Sequence, residues 1–516
     1  MRRLVRLFAL LAVTAACLPV DGAAAAIPVT STASDGPGTL RTAIEAANSQ
    51  AGSDSIQIEV TGTIALENKL PQIEGDLAIT GPGPASLTVG RDDEGGFFRI
   101  FEFASGVTGS LTGLTVTDGN SSAGGGILNG SGSLTLTRVA VVGNEAVEEE
   151  GAAATADGGG IHSVGPLTLR ESVVSGNHVT AGDGTSEAAA GGGGIFSLGK
   201  LTIDRSTISG NVVKALGGGG EIYALGGGID AIGEVKIEQS TISGNSILAE
   251  GGSSTQASGG GIAGNKGELT SLTVTGNSAS ATEVFGANLF LPDSPIVRNT
   301  LVSDPQGGAE SCFGTYVSGG FNLDEDGSCE FGEATDLVEV VAGLDPVLRD
   351  NGGPTPTHAL LAGSPAIDRG NSFGADVDQR GLPRPSDFAT VSNTEGGDGS
   401  DIGAFELQVP PVTASPGSVL VQLLAGDRQP PNTRIVSGPA RVTFKREAKF
   451  RFASTEAQSS FQCKVDKGAW KGCRNPCKRT VGAGAKHLFK VRAIDRFGNV
   501  DPTPARFGWR VKRIGS

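Results

Sequence analysis

Short apolar pieces recur along residues 119–300. A run of Gly followed by Ile comes at Ile127, Ile161, Ile195, Ile229 and Ile262, at steps of 34, 34, 34 and 33 residues. A second track runs Leu134-Thr135-Leu136, Leu167-Thr168-Leu169, Leu201-Thr202-Ile203 and Val235-Lys236-Ile237. A third ends in Gly-Asn at Asn120, Asn144, Asn177, Asn211, Asn245 and Asn277. Within each piece apolar and polar residues alternate, which is the period of a strand, and each is too short for a helix. Short strands joined by sharp turns bury their apolar sides by stacking on the next repeat, which predicts a parallel β-helix. Stacking sets Ile195 between Ile161 and Ile229. It also brings Asn144, Asn177, Asn211 and Asn245 to one turn, where their amides can bond along the stack.

From each Asn to the following Ile the interval is 7 residues in the first coil and 17 or 18 afterwards. Later coils therefore carry an insertion of about ten residues: 145–157, 178–190, 212–225 and 246–258. These Gly, Ala and Ser-rich segments are expected as solvated edging that blocks sideways strand pairing. They hold Glu148, Glu149, Glu150, Asp183, Glu187 and Glu250 among other residues, and they lack the Asp-x-Asp spacing of calcium loops. Before the repeats, Leu40, Ala43, Ile44 and Ala47 fall on one face of a helix, expected as a lid over the first coil. Residues 430–516 alternate again, at Phe450-Arg451-Phe452, Phe461 to Val465 and Phe489 to Ala493. Short strands over such a length suit an immunoglobulin-like β-sandwich. The expected layout is all-β. It comprises a signal peptide over 1–26, a cap and irregular coils over 27–118, regular coils over 119–300, and C-terminal coils over 301–408. A linker over 409–429 then leads to a basic domain over 430–516.

Composition narrows the reading. Gly makes up 81 of 516 residues without recurring strictly every third position, which excludes collagen. Residues 428–516 hold 21 Lys and Arg against 5 Asp and Glu, a net charge of +16, while the rest carries −31. Such a tail points to an anionic partner. Met1-Arg2-Arg3, the apolar run Leu7 to Leu18 and Ala24-Ala25-Ala26 read as an export signal. No later stretch is long enough to span a membrane. Export makes a cell-envelope polyanion or polysaccharide the expected partner and leaves no role for nucleic acid. Five cysteines follow Cys17. Cys312 and Cys329, 17 residues apart in an exported chain, are expected to be bonded. Cys463, Cys473 and Cys477 allow a disulfide or zinc, although no C-x-x-C pair supports zinc.

Three segments resemble known families. Gly38-Thr39-Leu40-Arg41-Thr42-Ala43-Ile44-Glu45-Ala46-Ala47-Asn48 is similar to the CSLREA-type start of bacterial surface β-helices, with Gly-Thr where Cys-Ser is common. Residues 351–406 resemble the choice-of-anchor Q domain. The matching motifs are Asn351-Gly352-Gly353-Pro354-Thr355, Gly363 to Asp368, Asp378-Gln379-Arg380-Gly381 and Asp401 to Glu406. The resemblance implies a right-handed, pectate-lyase-like β-helix at the cell surface, and it carries no catalytic residues. The tail resembles bacterial Ig-like modules through Cys463-Lys464-Val465-Asp466, Ala493-Ile494-Asp495, Gly498-Asn499 and Pro504. That resemblance implies a Cys463–Cys473 bond, and Cys477 departs from it.

Lyase chemistry on uronates would need clustered acids for calcium and an Arg or Lys as base. Arg170, Asp204 and Glu238 share one coil position, just after the second strand, and Asp230 is a further acid in the regular coils. A vertical row of exposed ion pairs accounts for the same spacing. His162 and His178 read as surface residues. No His-Glu-x-x-His helix or phosphate loop is present. The expected function is a secreted or surface β-helix without catalysis, structural, adhesive or glycan-binding, with no cofactor or metal. The alternative is a lyase or glycoside hydrolase on an acidic polysaccharide.

Overall fold

A computed structural model describes residues 26–92, 96–148, 153–182, 187–409, 431–439, 441–454, 459–473, 477–494 and 500–512. The export signal, apart from Ala26, and the linker, apart from Val409, lie outside these residues. So do Glu149, Glu150 and Asp183. The chain divides into two compact units, Met1–Val409 and Pro410–Ser516.

The first unit is a stack of parallel strands, the arrangement of a β-solenoid. Leu134 pairs with Leu167, Leu167 with Leu201 and Leu201 with Val235. Ile161, Ile195, Ile229 and Ile262 pair in the same fashion on a second sheet. All of these residues are at most 1% exposed and share one core. Coils repeat about 4.8 Å apart, the spacing of hydrogen-bonded strands. The helix Leu40–Asn48 starts at Thr39, whose side chain accepts from the Thr42 amide. It buries Leu40, Ala43, Ile44 and Ala47 in that core.

The insertions depart from the expectation of solvated edging. Each folds as two further strands, for example His178–Ala181 with Glu187–Gly191 and Val212–Leu216 with Glu221–Leu225. They build a six-stranded and a five-stranded parallel sheet. Between these lies a second core of small side chains, including Ala146, Val179, Ala181, Ala190, Val213, Ala215 and Ala257. Alternating Ala and Val allow two sheets to pack closely, and each residue adds little area but fills its space. A full coil therefore has five strands.

At the turn before each insertion the Asn side chains form a ladder. Asn144, Asn177, Asn211 and Asn245 donate Nδ2 to the next Oδ1 at 3.0, 2.9, 2.9 and 2.9 Å, and Asn277 continues to Asn288 at 2.8 Å. Each Oδ1 also accepts the preceding backbone N–H, as from Asn177 to Asn211 at 3.0 Å. Asn120 stays outside, because its strand aligns it with Glu145. The Gly runs answer to this ladder. A Cβ at Gly194 would stand 2.7 Å from the Gly228 carbonyl oxygen and 3.0 Å from Asn211 Nδ2.

Residues 342–407 fold back on the solenoid with little regular structure. Gln379 is fully buried and donates Nε2 to Thr207 Oγ1 and Thr355 Oγ1, and its Oε1 accepts from Thr241 at 2.6 Å. Arg384 and Glu406 form a fully buried ion pair at 2.8 Å. The second unit has a three-stranded antiparallel sheet and a five-stranded, mainly antiparallel one. They enclose Phe450, Phe452, Phe489 and Trp509. Disulfides join Cys312 to Cys329 and Cys463 to Cys473, and Cys477 is a buried free thiol. Among the described residues no helix is long and apolar enough to cross a membrane.

Candidate functional site

The row proposed from spacing does assemble. Arg170 stands opposite Asp204, and Asp204 opposite Glu238, in parallel register. Thr270 and Arg298 continue it. Asp204, Glu238 and Arg298 each pair with a neighbouring side chain. Arg205 reaches Glu171 at 2.9 Å and Asp204 at 3.4 Å, Lys236 reaches Glu238 at 3.0 Å, and Arg298 reaches Glu268 at 3.1 Å. Partial burial raises the Asp204 carboxyl, Arg205 pulls it back, and the Glu238 charge adds to the rise. Such part-exposed pairs contribute little stability, and Arg170 is exposed outside them. Among the described residues, one cluster of three His, Cys, Asp or Glu side chains brings its ligand atoms within 4.8 Å, and it is the cysteine trio. The row therefore does not gather acids for calcium-assisted proton removal.

Asp230 stands away from that row. It lies in the strand Ile229–Ala231, in a column that reads Leu128, His162, Phe196, Asp230, Ala263, Phe290 and Phe313 from coil to coil. Where large side chains give way to Asp230 and Ala263, the surface opens into a cavity of about 250 Å³. Phe196, Phe290, Ile232 and Asn265 line it together with Asp157, a residue the sequence reading had placed in a loop. Asp157 ends the strand Ala153–Asp157, opposite Gly191 of the next coil. A Cβ at Gly191 would meet Asp230 Oδ2 at 2.5 Å and Asp157 Oδ1 at 3.2 Å. These two oxygens are therefore less than about 6 Å apart, and only glycine fits between them.

Neither carboxyl has a hydrogen-bond or ion-pair partner among the described residues, and Asp230 is only 7% exposed. Burial raises Asp230 to about 7, with the Asp157 charge adding to the rise, and burial alone raises Asp157 to about 6. Unpaired buried acids that face a cavity are the pattern of a binding or reacting site. His162 is half-buried against Phe196, with ring centroids 4.9 Å apart, and burial lowers it to about 4. His178 is exposed.

A larger cavity, about 560 Å³, lies between the solenoid and residues 341–361. There His358 donates Nδ1–H to the Asp345 carbonyl and accepts from Ser243 Oγ at Nε2, both at 2.7 Å. Burial lowers the His358 pKa, in keeping with a neutral ring. Asp304, Glu325 and Asp345 surround the pair, and their charge opposes an oxyanion at Ser243. The contact pins the overlying segment to the strand.

Comparison with protein-family models, with curated proteins and with solved structures finds no match for this chain.

Proposed function

We propose that this is an exported, cell-surface β-helix whose solenoid binds a polysaccharide at the Asp157–Asp230 cleft. The observation that carries the reading is a pair of unpartnered carboxyls that share one cavity with the aromatic side chains Phe196 and Phe290. Aromatic faces suit the C–H faces of sugar rings, and carboxyl oxygens accept sugar hydroxyls. Phe196 and Phe290 are three coils apart, about 14 Å along the stack, room for more than one sugar unit. Among the described residues the cleft lining has no Lys or Arg, so two acids would repel a uronate. The ligand class is therefore a neutral or amino-sugar polymer. In this reading the helix Leu40–Asn48 closes the first coil of a right-handed β-helix, and the tail is an Ig-like module that meets envelope polyanions.

Isothermal titration of the full chain against neutral, amino-sugar and uronate polysaccharides tests the reading. Neutral or amino-sugar polymers should bind, and Phe290→Ala should weaken them about tenfold. Retention of uronates alone, or unchanged binding by Phe290→Ala, overturns it. A second reading, glycoside hydrolysis, is favoured by two carboxyls in one cavity whose facing oxygens lie within about 6 Å, a bound that includes the separation in retaining enzymes. It requires reducing ends to appear from the bound polymer and to vanish in Asp230→Asn while binding persists.

A further inference from the structure

The second unit holds three sulfurs that its one disulfide does not use up. Cys463 lies in the strand Ser460–Val465, Cys473 follows Lys471–Gly472, and Cys477 opens the strand Cys477–Thr480. Cys463 and Cys477 belong to different sheets and face each other in the core, at 1% and 2% exposure, whereas Cys473 is half-buried. All three Sγ atoms lie within 4.8 Å of one another. Small side-chain movements therefore allow Cys463 to bond either neighbour, one within its own sheet and one across the core.

A second observation concerns access. A cavity of about 350 Å³ is lined by Cys463 together with Lys464, Lys471 and Arg479, with no acid among the described residues that line it. Positive charge beside a disulfide concentrates anionic thiols and stabilises the thiolates formed on cleavage. We propose that this cavity is a thiol–disulfide exchange site for an anionic thiol, with Cys463 as the shared sulfur and Cys477 as the internal thiol.

The chemistry balances without an oxidant. The external thiolate attacks Cys463 Sγ, an S–S bond forms between them, and the Cys463–Cys473 bond breaks with its electron pair on Cys473. Cys473 then takes up a proton from solvent. Cys477 loses its proton to solvent and attacks the same Cys463 sulfur, which closes Cys463–Cys477 and releases the external thiolate. Two S–S bonds form, two break, and the oxidation level is unchanged. The half-buried Cys473 becomes the free thiol in place of the buried Cys477. Burial raises the Cys477 pKa, with Arg479 opposing the rise, so the second step is slow at neutral pH and quickens with alkalinity.

Reduced glutathione is the probe. The full chain is incubated with it under argon, quenched, alkylated and mapped by peptide mass. Far-ultraviolet circular dichroism confirms that the fold persists. A Cys463–Cys477 peptide should appear while Cys473 becomes alkylated. Cys477→Ser should stop at a mixed disulfide between glutathione and Cys463. Lys471→Gln with Arg479→Gln should slow glutathione about tenfold and leave cysteamine, a cationic thiol, unslowed. If Cys477 stays the alkylated cysteine of the three and Cys473 never is, the exchange is refuted. Equal slowing of both thiols by the double variant refutes the basic cavity as their selector.

Discussion

At the residue scale, the polar groups the core does bury fall into two kinds. Asn211 is fully satisfied: Nδ2 donates to the Val174 carbonyl and to Asn245, and Oδ1 accepts from Asn177 twice. Asn211→Ala would leave the Asn177 backbone N–H and Nδ2 without their Asn211 acceptor, at about 2–4 kcal/mol, while Asn245 Oδ1 keeps the residue 211 backbone N–H. Thermal melting should show the loss, and a wild-type midpoint would contradict the ladder's energetic role. Asp230 is the other kind, buried and unpaired. Its pKa of about 7 in the fold stands above the unfolded value near 4, so folding favours the protonated form. The stability it lends is full below about pH 4 and is lost as pH rises through about 7. Asp230→Asn should therefore raise the melting temperature at pH 8, by about 1–3 kcal/mol of stability, with little effect at pH 4. Equal effects at both pH values would contradict an unpaired, burial-shifted acid. The ladder was legible because Asn recurs with the repeat. Asp157, Gly191 and Asp230 each occur once, in three successive coils, so periodicity gave no sign that they meet.

At the element scale, a 34-residue step revealed the stacked strands, yet the insertions were misread. Ala and Ser suggested loops, and the alternation in Glu187-Ala188-Ala189-Ala190-Gly191 became meaningful only once neighbouring coils supplied a matching sheet. The fold-back of residues 342–407 was equally hidden, since isolated polar side chains such as Gln379 and His358 hold it. Gln379→Ala removes the bonds to Thr207, Thr241 and Thr355 and should expose residues 343–361 to limited proteolysis at temperatures where the solenoid stays folded. Proteolysis no faster than in the wild type would show that the buried Arg384–Glu406 pair suffices. The turns offer the opposite change. Arg138, Glu171, Arg205, Gln239 and Ser271 occupy one turn position with φ between 45° and 56°, a conformation that disfavours side chains by about 1 kcal/mol. Gln239→Gly should raise stability by up to that amount, measured by chemical denaturation, and a net loss would mean that the side chain's contacts outweigh the backbone strain.

At the scale of the whole molecule, charge separates what the repeats cannot. Residues 428–516 carry +16 and the remainder −31, and such fields act on partners rather than on the fold. Within the second unit part of this charge stands over aromatic rings. Lys464 Nζ lies 4.8 Å and Arg492 Cζ 4.4 Å from the Trp470 ring centroid, and Arg441 Cζ lies 4.4 Å from that of Phe507. Cations held over rings keep their charge while losing little further freedom on binding. An anionic polymer would displace counterions from itself as it meets them, so its affinity should fall steeply with salt. The full chain should bind purified, phosphate-rich cell wall at low ionic strength and release near ~0.5 M salt. The chain ending at Val409 should not bind under either condition. Salt-insensitive retention, or equal retention of the shortened chain, would place wall binding in the solenoid and leave the basic unit without this partner.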